Sequence, residues 1–142
     1  MEILSKSEDV AFSREDILGD LLTRLAAPAG KKSFLVFKHN KYFTVPTENI
    51  AFFFVKYESS TIMCFDRQEY PVTHSLEQIQ QLLPAGHFFR LNRQYLISFR
   101  AIKEAEHYFA RKLQVNLAVP APEKLLISKE KVSSFLHWLE NR

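Results

Sequence analysis

Phe88-Phe89-Arg90-Leu91-Asn92-Arg93-Gln94-Tyr95-Leu96-Ile97-Ser98 is the stretch around which this chain organises itself. Two aromatics lead into two arginines, a polar trio follows, and an apolar run closes the segment. Successive side chains of a strand point to opposite faces. An extended 88–93 would put Phe89, Leu91 and Arg93 on one face and Phe88, Arg90 and Asn92 on the other, mixing charge with aromatics on both. A turn near Asn92-Arg93-Gln94 resolves the conflict by lifting Arg93 out of a buried strand. A guanidinium on such a rim can fork onto a phosphate or a guanine edge.

Upstream of this segment the pattern is that of strands. Ser33–Lys38 and Lys41–Pro46 are β-rich runs separated by His39-Asn40, a tight-hairpin pair. Ile50–Val55 (IAFFFV) is almost wholly apolar and predicts a strand buried on both faces. Glu58-Ser59-Ser60 reads as a loop and Thr61–Phe65 as the next strand, turned by Asp66-Arg67 into Glu69–Thr73. Ser75 opens a short helix with Gln78 at the capping-box position, and Leu76, Ile79, Leu82 and Leu83 give it a buried stripe before Pro84 and Gly86 end it. Downstream, Tyr95–Phe99, Glu106–Ala110, Leu113–Val119 and Lys124–Ile127 read as four more strands. Ser128 then caps a terminal helix whose Val132, Phe135, Leu136 and Leu139 follow helical spacing.

Residues 1–12 show no periodicity and read as a tail. Ser13 caps a further helix in which Ile17, Leu18, Leu21, Leu22 and Leu25 share a face, stopped by Pro28-Ala29-Gly30. That helix is a linker, a dimerisation helix or a domain cap. The chain thus divides into residues 1–30, a tail and helix, and residues 31–142, a mainly β domain with one internal and one terminal helix.

Thirteen phenylalanines against three glycines in 142 residues reinforce the sheet reading, because aromatics favour pleated surfaces. No apolar run reaches the roughly 18–20 residues of a membrane span, and the N-terminus lacks a signal-peptide core. A single cysteine, Cys64, cannot form an internal disulfide and points to a reducing cytoplasm. The charge is unevenly placed. Residues 1–30 carry three basic and six acidic side chains, residues 31–85 six and five, and residues 86–142 ten and five. The basic excess therefore shares a segment with Arg93, as an anionic partner would require and as a plain solvated surface would also permit.

FFRLNRQYLI (88–97), followed by Ala101-Ile102 and later by Leu126-Ile127-Ser128-Lys129 before a terminal helix, resembles the signatures of the LytTR DNA-binding domain family. These are output domains of LytR/AlgR-type bacterial response regulators, and the resemblance covers roughly residues 31 to 142. It implies an elongated, mostly antiparallel multi-sheet fold in which loops, rather than a helix, enter the DNA major groove. It implies double-stranded DNA as partner, bound at paired direct repeats by a homodimer formed on DNA or through a partner domain. The chain has no room for the receiver domain that normally precedes such modules, so it is expected to be either a piece of a longer protein or a stand-alone regulator, with residues 13–27 a linker or dimer helix.

Carried onto this sequence, the family's contact regions select a set of residues. Arg93 is first, flanked by Asn92 and Gln94, which can read base edges; without the resemblance Arg93 would be a surface arginine on a turn. Lys129 stands where the family usually has arginine, and a lysine point charge suits a phosphate better than a bidentate guanine contact. Ser59, Ser60 and Thr61, with Lys56 approaching, occupy a loop position that the family uses for groove or backbone contacts, though from the residues alone a plain polar turn is the better reading of each. Arg111 and Lys112 fall where related sequences often have Asn-Gly; they grip phosphates or cover a hairpin end. Arg90, inside the aromatic run, reads as structural, paired with a carboxylate or with carbonyls at the sheet edge. Ser98-Phe99 departs from the family's Val-Asn, which calls one backbone-organising hydrogen bond into question.

Enzyme readings lack an inventory. The five histidines (39, 74, 87, 107 and 137) show no metal-ligand spacing and one cysteine cannot complete a zinc site. No glycine-rich phosphate loop and no nucleophile elbow are present. Cys64 reads as a buried thiol, Glu104 and Glu106 as solvated charges on one strand face. No cofactor or metal is expected. The rival to DNA binding is a β-sandwich module that binds protein, with its basic surface incidental.

Overall fold

The computed structural model describes residues 30–142. The helix expected over 13–27 lies outside the described residues. What is described is mainly β and antiparallel throughout: three sheets, two α-helices and short 3-10 turns.

The organising element is β3 (Ile50–Lys56), the IAFFFV run. It pairs with β4 (Ser59–Cys64) on one side and β7 (Tyr95–Ser98) on the other, at the middle of a five-stranded sheet. That sheet is completed by β5 (Glu69–Pro71) beyond β4 and β6 (Phe88–Arg90) beyond β7. Both faces of β3 are covered, as its unbroken apolar sequence predicts. Phe53 points to one core with Phe34, Ile62, Ile79 and Leu96. Phe52 and Phe54 point to the other with Met63, Tyr95, Ile97, Val115, Ile127 and Phe135. A register shift between Ile50 and Phe52 lets Ile50 join the Phe53 side and Ala51 the Phe52 side.

The first face is covered by a hairpin and a helix. β1 (Ser33–Lys38) and β2 (Lys41–Pro46) pair in register from Ser33↔Pro46 to Lys38↔Lys41. Their turn, His39-Asn40, has φ of 53° and 63°, the left-handed pair of a type I′ hairpin. Phe34, Val36 and Val45 face inward, leaving Leu35, Phe37 and Tyr42 exposed. Helix α1 (Leu76–Leu82) has the capping box read from sequence: Gln78 N donates to Ser75 Oγ (3.1 Å) and Ser75 N to Gln78 Oε1 (2.9 Å). Leu76, Ile79 and Leu83 are buried from this segment, and Leu82 half-buried.

The second face is covered by β8 (Ile102–His107), β9 (Leu113–Leu117) and β10 (Leu125–Ile127), with β9 central, and by helix α2 (Lys129–Glu140). Phe135 anchors α2, and Trp138 lies against Phe89, Phe99 and Phe135 while its indole Nε1 donates to Gly86 O at 2.7 Å.

Several expectations are corrected. The strand expected at Glu106–Ala110 is instead β8 at 102–107, whose Lys103, Glu104 and Glu106 face solvent. Asn116, opposite Glu104 on β9, donates to its carboxylate at 2.9 Å, so charge on this strand is compatible with pairing. Ser59, Ser60 and Thr61 are not loop: the turn is Tyr57-Glu58 alone, with φ of 52° and 63°, and β4 begins at Ser59. Ser60 and Thr61 are consequently buried opposite Val55 and Phe54. Leu136 is exposed, because Trp138 and Phe135 take the inward arc of α2.

Burial leaves a pH signature. Desolvation pushes the Cys64 thiol up to about 11, assisted by Asp66, and the Tyr95 phenol up to about 12, assisted by Glu123. Both groups are neutral in the fold, so an unfolded chain loses their protons first as pH rises. Stability is therefore full below about pH 9 and falls from there as Cys64 and then Tyr95 ionise in the unfolded chain. Thermal melts should show Tm dropping between pH 9 and 12, and a Cys64→Ala variant should show a shallower drop between 9 and 11. An equal slope in that variant would assign the loss to other groups.

Candidate nucleic-acid interface

The segment joining β6 to β7 is a turn made by side chains. Asn92 Oδ1 accepts from the backbone N–H of Gln94 (2.8 Å) and of Tyr95 (3.0 Å), the local bonding at which asparagine excels. Arg90 holds the other side: Nε donates to Asn92 O (2.6 Å) and Nη2 to Arg93 O (3.1 Å). Gln94 O accepts from Val55 N at 3.0 Å, tying the turn to the end of β3. Leu91, at the root, is buried in the core. A rigid base thus carries an exposed Arg93 whose guanidinium has no hydrogen-bond or ion-pair partner among the described residues.

Arg90 accordingly occupies the place expected of it, bonded to carbonyls at the sheet edge. Asn92 is different. Its oxygen, expected to read a base edge, is committed to the turn, so Asn92 builds the loop on which Arg93 and Gln94 stand. Ser98 Oγ accepts from Arg100 N at 3.2 Å, so a hydroxyl caps the turn that follows β7.

The start of α2 leans on this loop. Lys131 Nζ lies 3.4 Å from both Arg90 O and Leu91 O. The contact was not legible in the sequence, where Lys131 is one of several lysines near a helix start. Ser128 is the N-cap by backbone conformation, yet its side chain makes no capping bond, and Lys129 is exposed beside it. Across a groove from Ser128, Lys129 and Glu130 stands the β8–β9 turn with Ala110, Arg111 and Lys112. Tyr108 N donates to Lys112 O and Lys112 N to Phe109 O, both at 3.0 Å, closing a tip in which Ala110 and Arg111 sit at φ of 57° and 63°.

Lys129, Arg111 and Lys112 thus line one groove, and Arg93 stands on the separate loop whose root Lys131 of α2 reaches. Glu130 lines the same groove, so its charge is mixed with cations in excess. The remaining residues read from sequence are not brought into it in the same way. Lys56 is ion-paired with Glu69 at 2.8 Å, and this bond raises its pKa. Ser60 and Thr61 are covered, and of that trio only Ser59 is exposed.

No cluster of three or more His, Cys, Asp or Glu able to hold a metal is found among the described residues. No helix among them is long and apolar enough to cross a membrane.

Comparison with known proteins points one way. The family profile described as the LytTr DNA-binding domain matches residues 40–140. No curated protein matches. Among solved structures, the chain is similar to the LytTr DNA-binding domain of a protein described as a methyl-accepting/DNA response regulator from Bacillus cereus. That likeness has a TM-score of 0.67 at 18% identity and covers 78% of this chain and 98% of the other.

Two outcomes test the local geometry. Asn92→Ala should cost about 1–2 kcal/mol in urea unfolding and speed amide exchange at Gln94 and Tyr95, whereas Asn92→Asp, which keeps the acceptor, should leave that exchange slow. Ala110→Gly should raise stability by about 1 kcal/mol, since glycine relieves the left-handed backbone; a loss would show that the tip is not strained.

Proposed function

The chain belongs to the LytTr DNA-binding domain family, and from this we propose that it binds double-stranded DNA sequence-specifically and regulates transcription as the output domain of a two-component response regulator. The observation that carries the reading is the rigid presentation of Arg93. Its loop is fixed from below by Arg90, from within by Asn92 and from the side by Val55, while its own guanidinium stays exposed. A preorganised arginine loses little entropy on forming a forked contact with a guanine edge or a phosphate.

Lys129, Arg111 and Lys112 supply phosphate contacts that fix register, with Gln94 beside Arg93 as a second reader of base edges. Ser59 at the foot of the Tyr57-Glu58 turn offers a hydroxyl to the backbone. Lys56 contributes only if its pair with Glu69 opens. The loops enter successive major grooves at paired direct repeats, which calls for two copies of the domain on one duplex. The receiver domain and the signal it receives lie outside these residues, and a cytoplasmic location follows from the role.

A protein-interaction reading is favoured by one observation, the exposed outer face of the β1–β2 hairpin, where Leu35 and Tyr42 are 66% and 71% accessible. That face is separate from Arg93 in the fold, so it supplements DNA binding rather than replacing it.

The test is anisotropy of the domain on duplexes enriched by selection from a random pool, across a salt series. The log–log slope should be about −0.9 for each phosphate contacted. Arg93→Ala should lose about 1–3 kcal/mol on the selected site and discriminate less between sites. Salt-insensitive binding, or an Arg93→Ala protein that still selects the same sequence at full affinity, would sink the reading.

A further inference from the structure

Phe109 is the most exposed phenylalanine among the described residues, 79% accessible at the tip of the β8–β9 turn. An aromatic ring left in water is unfavourable, and here the fold makes no effort to cover it. The ring is also not loosely hung. The tip is closed by the paired backbone bonds between Tyr108, Phe109 and Lys112, and Tyr108 packs against Phe109 with centroids 5.0 Å apart. Lys124 Nζ lies 5.0 Å from the Tyr108 centroid. Next to the ring in sequence stand Arg111 and Lys112, and across the groove stands Lys129.

A tip that carries an exposed ring with Arg111 and Lys112, and faces Lys129 and Glu130 across the groove, is cationic on balance and fits nucleic acid well. There the cations meet phosphates while the ring meets deoxyribose or the faces of bases. Resting on the DNA-binding reading above, we propose that Phe109 is a DNA-contacting side chain: the β8–β9 tip inserts its ring against sugars and bases beside the backbone that Lys129 and Arg111 grip. Aromatic and other apolar side chains used in this way partly unstack or wedge the duplex, and their contribution is apolar rather than ionic.

That distinction supplies the experiment. Phe109→Ala changes no charge, so it releases no fewer counterions; its effect should be a uniform loss at every salt concentration. The full chain is titrated by anisotropy against the selected duplex at several salt concentrations, alongside Phe109→Ala, Arg111→Ala and Arg93→Ala. The expected result is an affinity roughly 5- to 100-fold weaker for Phe109→Ala with an unchanged log–log slope. Arg111→Ala should instead reduce the slope by about 1. An exposed ring carries little of the fold, so the Phe109→Ala protein should melt with the wild-type Tm, which keeps a binding loss from being a folding loss. If Phe109→Ala binds as tightly as wild type while Arg93→Ala is weakened, the wedge is overturned and the DNA reading stands. If wild type shows no salt-dependent binding, both are overturned together.

Discussion

The structure depends on a strand that has no outside. β3 buries Phe53 toward one core and Phe52 and Phe54 toward the other, so neither face of the central sheet can be left to water. Each face must acquire a cover, and the covers define the fold: a hairpin with α1 on one, a three-stranded sheet with α2 on the other. The bulge at Ile50–Phe52 matters here because it changes which face each residue serves at the strand's start. A one-residue slip elsewhere in β3 would exchange the two cores.

The same strand positions the candidate interface. Val55 near its end bonds Gln94 across the sheet, so the Arg93 loop stands on the central strand of the five-stranded sheet. From the opposite layer, Lys131 reaches the carbonyls at the root of that loop. Two layers therefore meet at one small turn, and the placement of Arg93 relative to Lys129 follows from packing rather than from either loop alone.

How much of this was legible depends on whether the signal was local. The His39-Asn40 hairpin, the Ser75/Gln78 capping box and the two-sided burial of 50–54 were readable because turn chemistry and apolar runs act within a few residues. β8 begins at Ile102 rather than at the expected Glu106, because Lys103 and Glu104 carry no apolar alternation to mark a strand until β9 is beside them to pair with. Ser59 and Ser60 read as loop from sequence because polar residues next to Glu58 hide a two-residue turn formed without glycine. Arg93 on a turn was legible; the commitment of Asn92 Oδ1 to that turn, and the reach of Lys131, were not, since both depend on distances no spacing rule encodes. The sheet-edge role of Arg90 was read from its aromatic surroundings, and its carbonyl partners are those of the turn itself.

The chain has few glycines, and its turns use other residues in their place. His39, Asn40, Tyr57, Glu58, Arg67, Ala110 and Arg111 all occupy left-handed backbone that glycine would adopt with less strain. Most of them stand at the apex of a hairpin. The cost in stability is set against a side chain at each apex, where glycine would present bare backbone. Because these apices carry no core packing, their side chains can be exchanged without disturbing either core. Two relatives could thus keep one scaffold and diverge in what they recognise, with the sheets conserving shape and the tips free to drift.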